Sequence, residues 1–238
     1  MILKDNDLFH VHTKRCGHAE DISDEAYIEK ALGIGASGIW FTDHAPFPKD
    51  PFRQRMKYSQ LNEYLHSLSE LKKRYKAHIN IHIGLEIEYF PTYDRSGYYK
   101  ELVSDERIEI LLLGQHMAED ATCPGKYTFD WDKGRLKDEE YVALGEAVCS
   151  GIRSRYFNAV AHPDRIFRRK KIWDEGMEKV SLNIISAAKT YNIPLEQNES
   201  SRRQKNHYWK EFWDLTDEKT EIIHGLDAHS LKDLKFSF

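Results

Sequence analysis

The sequence predicts an α/β fold built on a parallel sheet, and two observations predict it. Short β-like runs alternate with longer helical patterns along the 238 residues, which is the signature of repeated β-α units. Six of the seven β-like runs also carry, at their carboxyl ends, His10 with His12, Asp43 with His44, Glu86, His116, His162, or Asp227 with His229. In parallel β/α barrels the carboxyl ends of the strands meet on one rim, where ligands bind and reactions take place.

The seven runs are residues 8–13 (LFHVHT), 38–44 (GIWFTDH), 79–89 (INIHIGLEIEY), 108–117 (IEILLLGQHM), 157–164 (FNAVAHPD), 193–199 (IPLEQNE) and 221–230 (EIIHGLDAHS). Between them, Leu61, Tyr64, Leu65, Leu68, Leu71 and Tyr75 fall at helical spacing and predict an amphipathic helix over 59–77. Ser23 is placed to cap a helix over 24–34, with Asp24 and Glu25 in the first turn where acids favour the helix dipole. Tyr141, Leu144, Val148 and Ile152 mark another helix, and Met177, Val180, Ile184 and Tyr191 a fourth. No linker, short repeat or shift of composition divides the chain, so one domain over 1–238 is expected.

Composition narrows the function classes. A hydrophobic share of 40% supports a core, and a net charge of −4 argues against a general nucleic-acid binder. No apolar stretch approaches a membrane span, and acids stand near the N-terminus where a secretion signal would be apolar. A cytoplasmic protein is expected, acting on a small molecule rather than at a membrane or on nucleic acid. The cysteines Cys16, Cys123 and Cys149 form no CxxC pair, so any metal would be held by nitrogen and oxygen. Cys16 is expected to be a spectator and Cys149 to be core.

The candidate donors sit at the strand ends: His10 with His12, Asp43 with His44, Glu86, His116, His162, and Asp227 with His229. Strand side chains alternate, so His10 and His12 should share a face, as should Asp227 and His229, each pair a clamp for a cation. His82 is in phase with Glu86 but four residues deeper, so it should line the interior instead. His66, His78, His207 and His224 fall outside the pattern and are expected to be structural or solvated.

The ordered segments HVH with His18 eight residues after His10, FTDH, GLEIEYFP, LLGQHM, AHPD and GLDAHS resemble the polymerase and histidinol phosphatase superfamily. More narrowly, they resemble its stand-alone L-histidinol-phosphate phosphatase branch. RMKYSQLNEYL, YTFDWD and LEQNESSRR extend the similarity over nearly the whole chain. The resemblance implies a distorted (β/α)7 TIM-like barrel with its active site at the carboxyl rim. It further implies three divalent transition metals (Zn, Fe or Mn), the first on His10, His12, Glu86 and Asp227, the second on Glu86, His116 and His162, and the third on His18, His44 and His229.

Such a family member would hydrolyse a phosphomonoester, L-histidinol phosphate in histidine biosynthesis, by attack of a metal-bridging hydroxide. Arg55, Arg165 and Arg203 are the candidates for the phosphate, because a guanidinium fork bonds two oxygens at once. The segment LEQNESSRR departs from the family's turn, so Arg202 competes with Arg203 for this role. Asp43 and Asp164 are candidates either for general acid or for carboxylates that orient a ligand imidazole. Phe47, Tyr89, Phe90 and Phe129 could stack on an imidazole, and Glu88, Asp130 or Glu199 could meet an ammonium. Arg168, Arg169, Lys170 and Lys171 read as a solvated patch at a helix start. Only nine residues follow His229 where the family has a longer helix, so that either the last barrel helix is a stub or something else covers that side. Two other readings stay open: a phosphoesterase of the same fold acting on a nucleotide, sugar phosphate or phosphotyrosine, and a non-catalytic metal-binding module.

Overall fold

The computed structural model describes residues 3–236 except Pro124. All seven expected strands form: β1 Asp7–Val11, β2 Gly38–His44, β3 Asn80–Ile87, β4 Ile110–Leu113, β5 Ala159–Val160, β6 Leu195–Asn198 and β7 Ile222–Gly225. The helices are α1 Asp24–Gly33, α2 Leu61–Tyr75, α3 Pro91–Arg95, α4 Tyr98–Ser104, α5 Lys133–Asp138, α6 Glu140–Ser154, α7 Glu175–Tyr191, α8 Glu199–Arg202 and α9 Lys210–Asp214.

The strands make one sheet in sequential order, β1 to β7, and the pairs β1–β2, β2–β3, β4–β5 and β5–β6 are parallel. After β7 the chain returns to β1, where Val11 and Ala228 form a parallel bridge and the His12 amide donates to the Ala228 carbonyl. This is the order of a (β/α)7 barrel. The chain divides into two compact units, one of Met1–Glu86, Asp105–Leu111 and His224–Phe238, the other of Ile87–Ser104 and Leu112–Ile223.

Local rules explain the helices that the sequence predicts. The Ser23 hydroxyl caps α1 by accepting from the Ala26 amide, and Asp24 and Glu25 occupy its first turn. In α2 the buried stripe is Tyr64, Leu65, Leu68 and Leu71, spaced to face one side. Asp174 caps α7 in the same manner, and Asn192 ends it in the left-handed conformation that asparagine tolerates. Cys149 is buried on α6, as its position on the apolar stripe predicts. Beyond β7 a single 3-10 turn, Leu231–Asp233, is the only helical element among the described residues.

In the basic run at 168–171 the expected solvated patch holds only in part: Arg169 and Lys171 are exposed, while Arg168 and Lys170 are half-buried. Arg168 and Arg169 both donate to the buried Glu140 carboxylate at the start of α6, at 2.8 and 2.6 Å, and Lys170 pairs with Asp174. Two guanidinium groups are needed there because a buried acid is costly unless its oxygens are satisfied. The periodicity of the run carried no sign of this distant partner.

Candidate metal centre

In the first unit the strand ends deliver six of the expected ligands to one place, and His18, past the turn after β1, joins them. Strands β1 and β2 carry His10 and His44, β3 carries Glu86, and the chain just past β1 and β7 carries His12, Asp227 and His229. His10, His12, Glu86 and Asp227 are all almost fully buried. The His10 Nε2 atom lies 3.3 Å from Glu86 Oε2, and His12 Nε2 lies 3.4 Å from the same oxygen and 3.2 Å from Asp227 Oδ1. His44 Nδ1 approaches Glu86 Oε2 at 3.1 Å. The rings of His12 and His229 stack at 4.2 Å, and those of His18 with His229 and His44 lie 4.6 and 5.3 Å apart.

The clamp at the end of β1 forms, but not by simple alternation. The β1–β2 register shifts between Leu8 and Val11, and His10 takes a φ of 69°. Asp227 and His162 also have positive φ, 52° and 30°. A non-glycine residue in this region costs on the order of 1–3 kcal/mol and tends to mark a functional position. Three candidate ligands therefore sit on strained backbone, which a strand periodicity cannot predict.

The donor set tests well against a cation. Both nitrogens of buried His12 lack a hydrogen bond among the described residues, as does His229 Nε2, although carboxylate oxygens converge on His12 Nε2. Burial works against the His12 imidazolium, yet Asp227 and Asp43 outweigh it and push its pKa up to about 9. The pocket thus favours positive charge. Burial and His12 push His229 down to about 3, so it stands as a neutral imidazole with a lone pair. Imidazole with carboxylate suits zinc, iron or manganese. Cys16 is fully buried with its thiol in reach of His18 and His229, and burial, with Asp43, pushes that thiol up to about 12.

Asp43 faces the His12 ring: its Oδ1 lies 3.6 Å from His12 Nδ1 and accepts from the His44 amide at 3.1 Å, and its Oδ2 accepts from the Thr13 hydroxyl. Thr13 and Asp43 are both fully buried. Sequence reading passed over Thr13; its only signal was its place directly after the HVH clamp. The Arg55 guanidinium lies against the Phe47 and Phe52 rings and donates to the Ala45 carbonyl at 3.1 Å. His82 is at the opposite end of β3, stacked on Trp40 at 3.7 Å and bonded to Glu109, so it is a bonded surface residue and not the interior lining expected.

The second unit holds the remaining candidates. His116 and His162 have ring centres 5.1 Å apart, and His116 Nδ1 lies 3.3 Å from the buried Glu88 carboxylate. Fully buried Glu196, another residue that the sequence reading passed over, accepts from the His162 amide at 3.0 Å and from the Asn198 side chain. Asn198 caps α8 and, with Ser201, accepts from the Arg165 guanidinium at 2.8–2.9 Å. Asp164 is wholly buried; its Oδ2 accepts from the Trp209 amide and the Trp213 indole, and burial pushes its pKa up to about 6.

Arg203 is exposed just past α8, while Arg202 lies over the Tyr208 ring at 4.2 Å and donates to Gln197. Phe47 and Phe90 are fully buried against other aromatics, which corrects the expectation that they stack on a substrate; Tyr89 is bonded to Asp94, and Phe129 alone of the four is exposed. Asp130 is likewise committed to the Tyr127 amide, and Glu199 lies near Arg202.

The PHP domain matches residues 9–200. The chain belongs to the PHP domain family. Its fold is shared with a chain of Listeria monocytogenes, provisionally described as the histidinol phosphatase HisK, at a TM-score of 0.77 and 17% identity over 96% of this chain and 97% of that one. The histidinol phosphate phosphatase of Lactococcus lactis, solved with zinc, L-histidinol and phosphate, aligns at a TM-score of 0.69 and 17% identity over 95% and 87%. In sequence, the histidinol-phosphatase of Bacillus subtilis is 23% identical across 96% of this chain and 95% of its own length. The fold is therefore the distorted (β/α)7 barrel that the sequence led one to expect.

Proposed function

We propose that this PHP domain is a metal-dependent phosphomonoesterase, acting in the cytoplasm on L-histidinol phosphate in histidine biosynthesis. The observation that carries the reading is the buried convergence of His10, His12, His44, Glu86 and Asp227, a set of nitrogen and oxygen atoms gathered at one place in the first unit. The full-length similarity to the Bacillus subtilis histidinol-phosphatase supports the substrate. Since the family match runs through segments of both units, residues 1–238 are taken as one functional domain.

His10, His12, Glu86 and Asp227 would hold one metal and His18, His44 and His229 another, while the family resemblance gives His116 and His162 to a further one, three in all. When bound, divalent metals supply Lewis acidity and an activated water. Glu86 gathers three imidazoles on one oxygen, which fits a bridging role. Asp43 Oδ1, 3.6 Å from His12 Nδ1, would favour the proton on Nδ1 once a metal is bound, leaving Nε2 as the ligand atom. Arg165 has its guanidinium plane set by Asn198 and Ser201 and is the foremost phosphate partner, with Arg55 and Arg203 behind it. Asp164 lies buried against two tryptophans, an environment suited to a carboxyl that carries a proton near neutral pH and so to a general acid.

Phosphate release from a panel of monoesters after metal loading tests this. L-Histidinol phosphate should exceed p-nitrophenyl phosphate and nucleoside monophosphates by at least about tenfold in kcat/KM, roughly 1.4 kcal/mol of discrimination. Preference for another ester would keep the phosphatase and replace the substrate; release from none would leave a metal-binding module.

A further inference from the structure

Arg15 lies outside the ligand set, and its guanidinium is nearly buried, with a side chain 8% exposed. All three of its nitrogens are used. Nε and Nη2 grip the two oxygens of Glu63 on α2 at 2.8 and 2.9 Å. Nη1 donates to Asp24, the first residue of α1, at 2.7 Å, and to the Thr13 hydroxyl at 3.2 Å. The group lies 5.6 Å from the Tyr64 ring centre, and the Tyr64 hydroxyl accepts from the Asp43 amide.

These contacts fix the direction of a proton. Arginine can only donate and a carboxylate can only accept, so the single hydroxyl proton of Thr13 must point at Asp43. The Thr13 oxygen then accepts from Arg15 Nη1 and, more weakly at 3.4 Å, from the Arg15 amide. With Oδ2 occupied in this way, Asp43 Oδ1 accepts from the His44 amide at 3.1 Å and faces His12 Nδ1 at 3.6 Å. A carboxylate in that place favours the proton on Nδ1, so that a metal held beside Glu86 and Asp227 would meet Nε2 as the ligand atom. Lysine could not substitute, because a point charge cannot hold Glu63 with two bonds while reaching Asp24 and Thr13 from a third nitrogen.

We infer that Arg15 is a positioning residue for the metal centre, acting on His12 through Thr13 and Asp43 and anchored by the acids of two helices. The inference rests on the metal-dependent reading above, yet zinc binding tests it without substrate. Zinc affinity of the full chain is measured by competition with a chromophoric chelator, and the His12 tautomer by 15N chemical shifts.

Arg15→Met and Thr13→Val should each weaken the tightest zinc by about ten- to a hundredfold. The double variant should lose no more than the worse single, because both act along one chain of contacts. Thr13→Ser should restore the affinity, and Arg15→Lys should not. In the weakened variants the His12 Nδ1 resonance should move toward a mixture of tautomers.

An Arg15 that only ties α1 to α2 would lower thermal stability while leaving zinc affinity and the His12 resonance unchanged, and that result overturns the inference. So would losses that simply add in the double variant. Should Arg15→Met fail to fold by circular dichroism, Thr13→Val decides, since it removes one oxygen and leaves the arginine with both acids; unchanged zinc affinity there overturns the inference as well. Failure of the unsubstituted chain to bind zinc would instead overturn the metal reading itself.

Discussion

The first unit uses similar residues at the two ends of β1, β2 and β3 and satisfies them in opposite ways. At the amino ends, Asp7 accepts from the Ser37 hydroxyl and the Trp40 indole, and Glu109 accepts from Lys72 and the Ile83 amide and bonds His82. Each acid there meets a donor supplied by the protein. At the carboxyl ends, Glu86 and Asp227 meet the ring nitrogens of His10, His12 and His44, and no lysine or arginine bonds to either carboxylate in the contacts described above. His82 and Glu86 stand on the same strand in the same phase. Partners and burial, rather than residue type, separate a bonded surface pair from a cation site. Buried acids gathered with imidazoles in this way favour positive charge at the second end, as the raised pKa of His12 shows.

The largest effect should come from removing that charge logic at the rim. Glu86→Gln is expected to reduce phosphate release by at least about a thousandfold, as for a member of a catalytic unit, and to lower metal content by elemental analysis in the same preparation. Normal metal and turnover in that variant would show the two ends of β3 to be alike.

Next in size is a change midway between the ends. An added Cβ at Gly84 would come within 2.4 Å of the Ile110 side chain and 2.8 Å of its carbonyl oxygen. Since that oxygen belongs to rigid strand backbone, Gly84→Ala should cost about 1–3 kcal/mol in denaturant unfolding. A smaller loss would mean that β3 and the Ile110 backbone can part without disturbing either end.

The smallest effect belongs to the amino end. Burial works against the Glu109 carboxylate, but His82, Lys72 and the Ile83 amide outweigh it and hold its pKa at about 2, below the usual 4.5. A depressed acid stabilises the fold above its unfolded pKa, so this contribution should be full above pH 4.5 and lost as pH falls toward 2. Glu109→Gln should therefore lower stability by about 1 kcal/mol at pH 7 and by little near pH 2, with metal content unchanged. Loss of metal in this variant would join the two ends that the comparison separates.

Much of this was legible in advance because it depends on short-range pattern. Ser23 caps α1 through contacts three residues away, and the apolar stripe of α2 follows from 3.6-residue periodicity. The strand-end histidines could be read because a parallel β-α repeat sends every strand's carboxyl end to the same side. Glu140, Glu196 and Thr13 could not be singled out: each draws its importance from a partner 28, 34 or 30 residues away, and no local spacing encodes such a pairing.

The sequence by itself determined the order of strands and helices, the donor types at the strand ends and the PHP family, since motif order and hydrophobic period are properties of the chain. Only the tertiary structure decided that Asp43 faces the His12 ring, that Phe47 and Phe90 are core, and that His10, His162 and Asp227 stand on left-handed backbone. The physical reason is that direction and burial are set by what packs from other elements: a bulge, a hydroxyl or a guanidinium arriving from elsewhere in the chain decides where a side chain points, and with it what that side chain can bind.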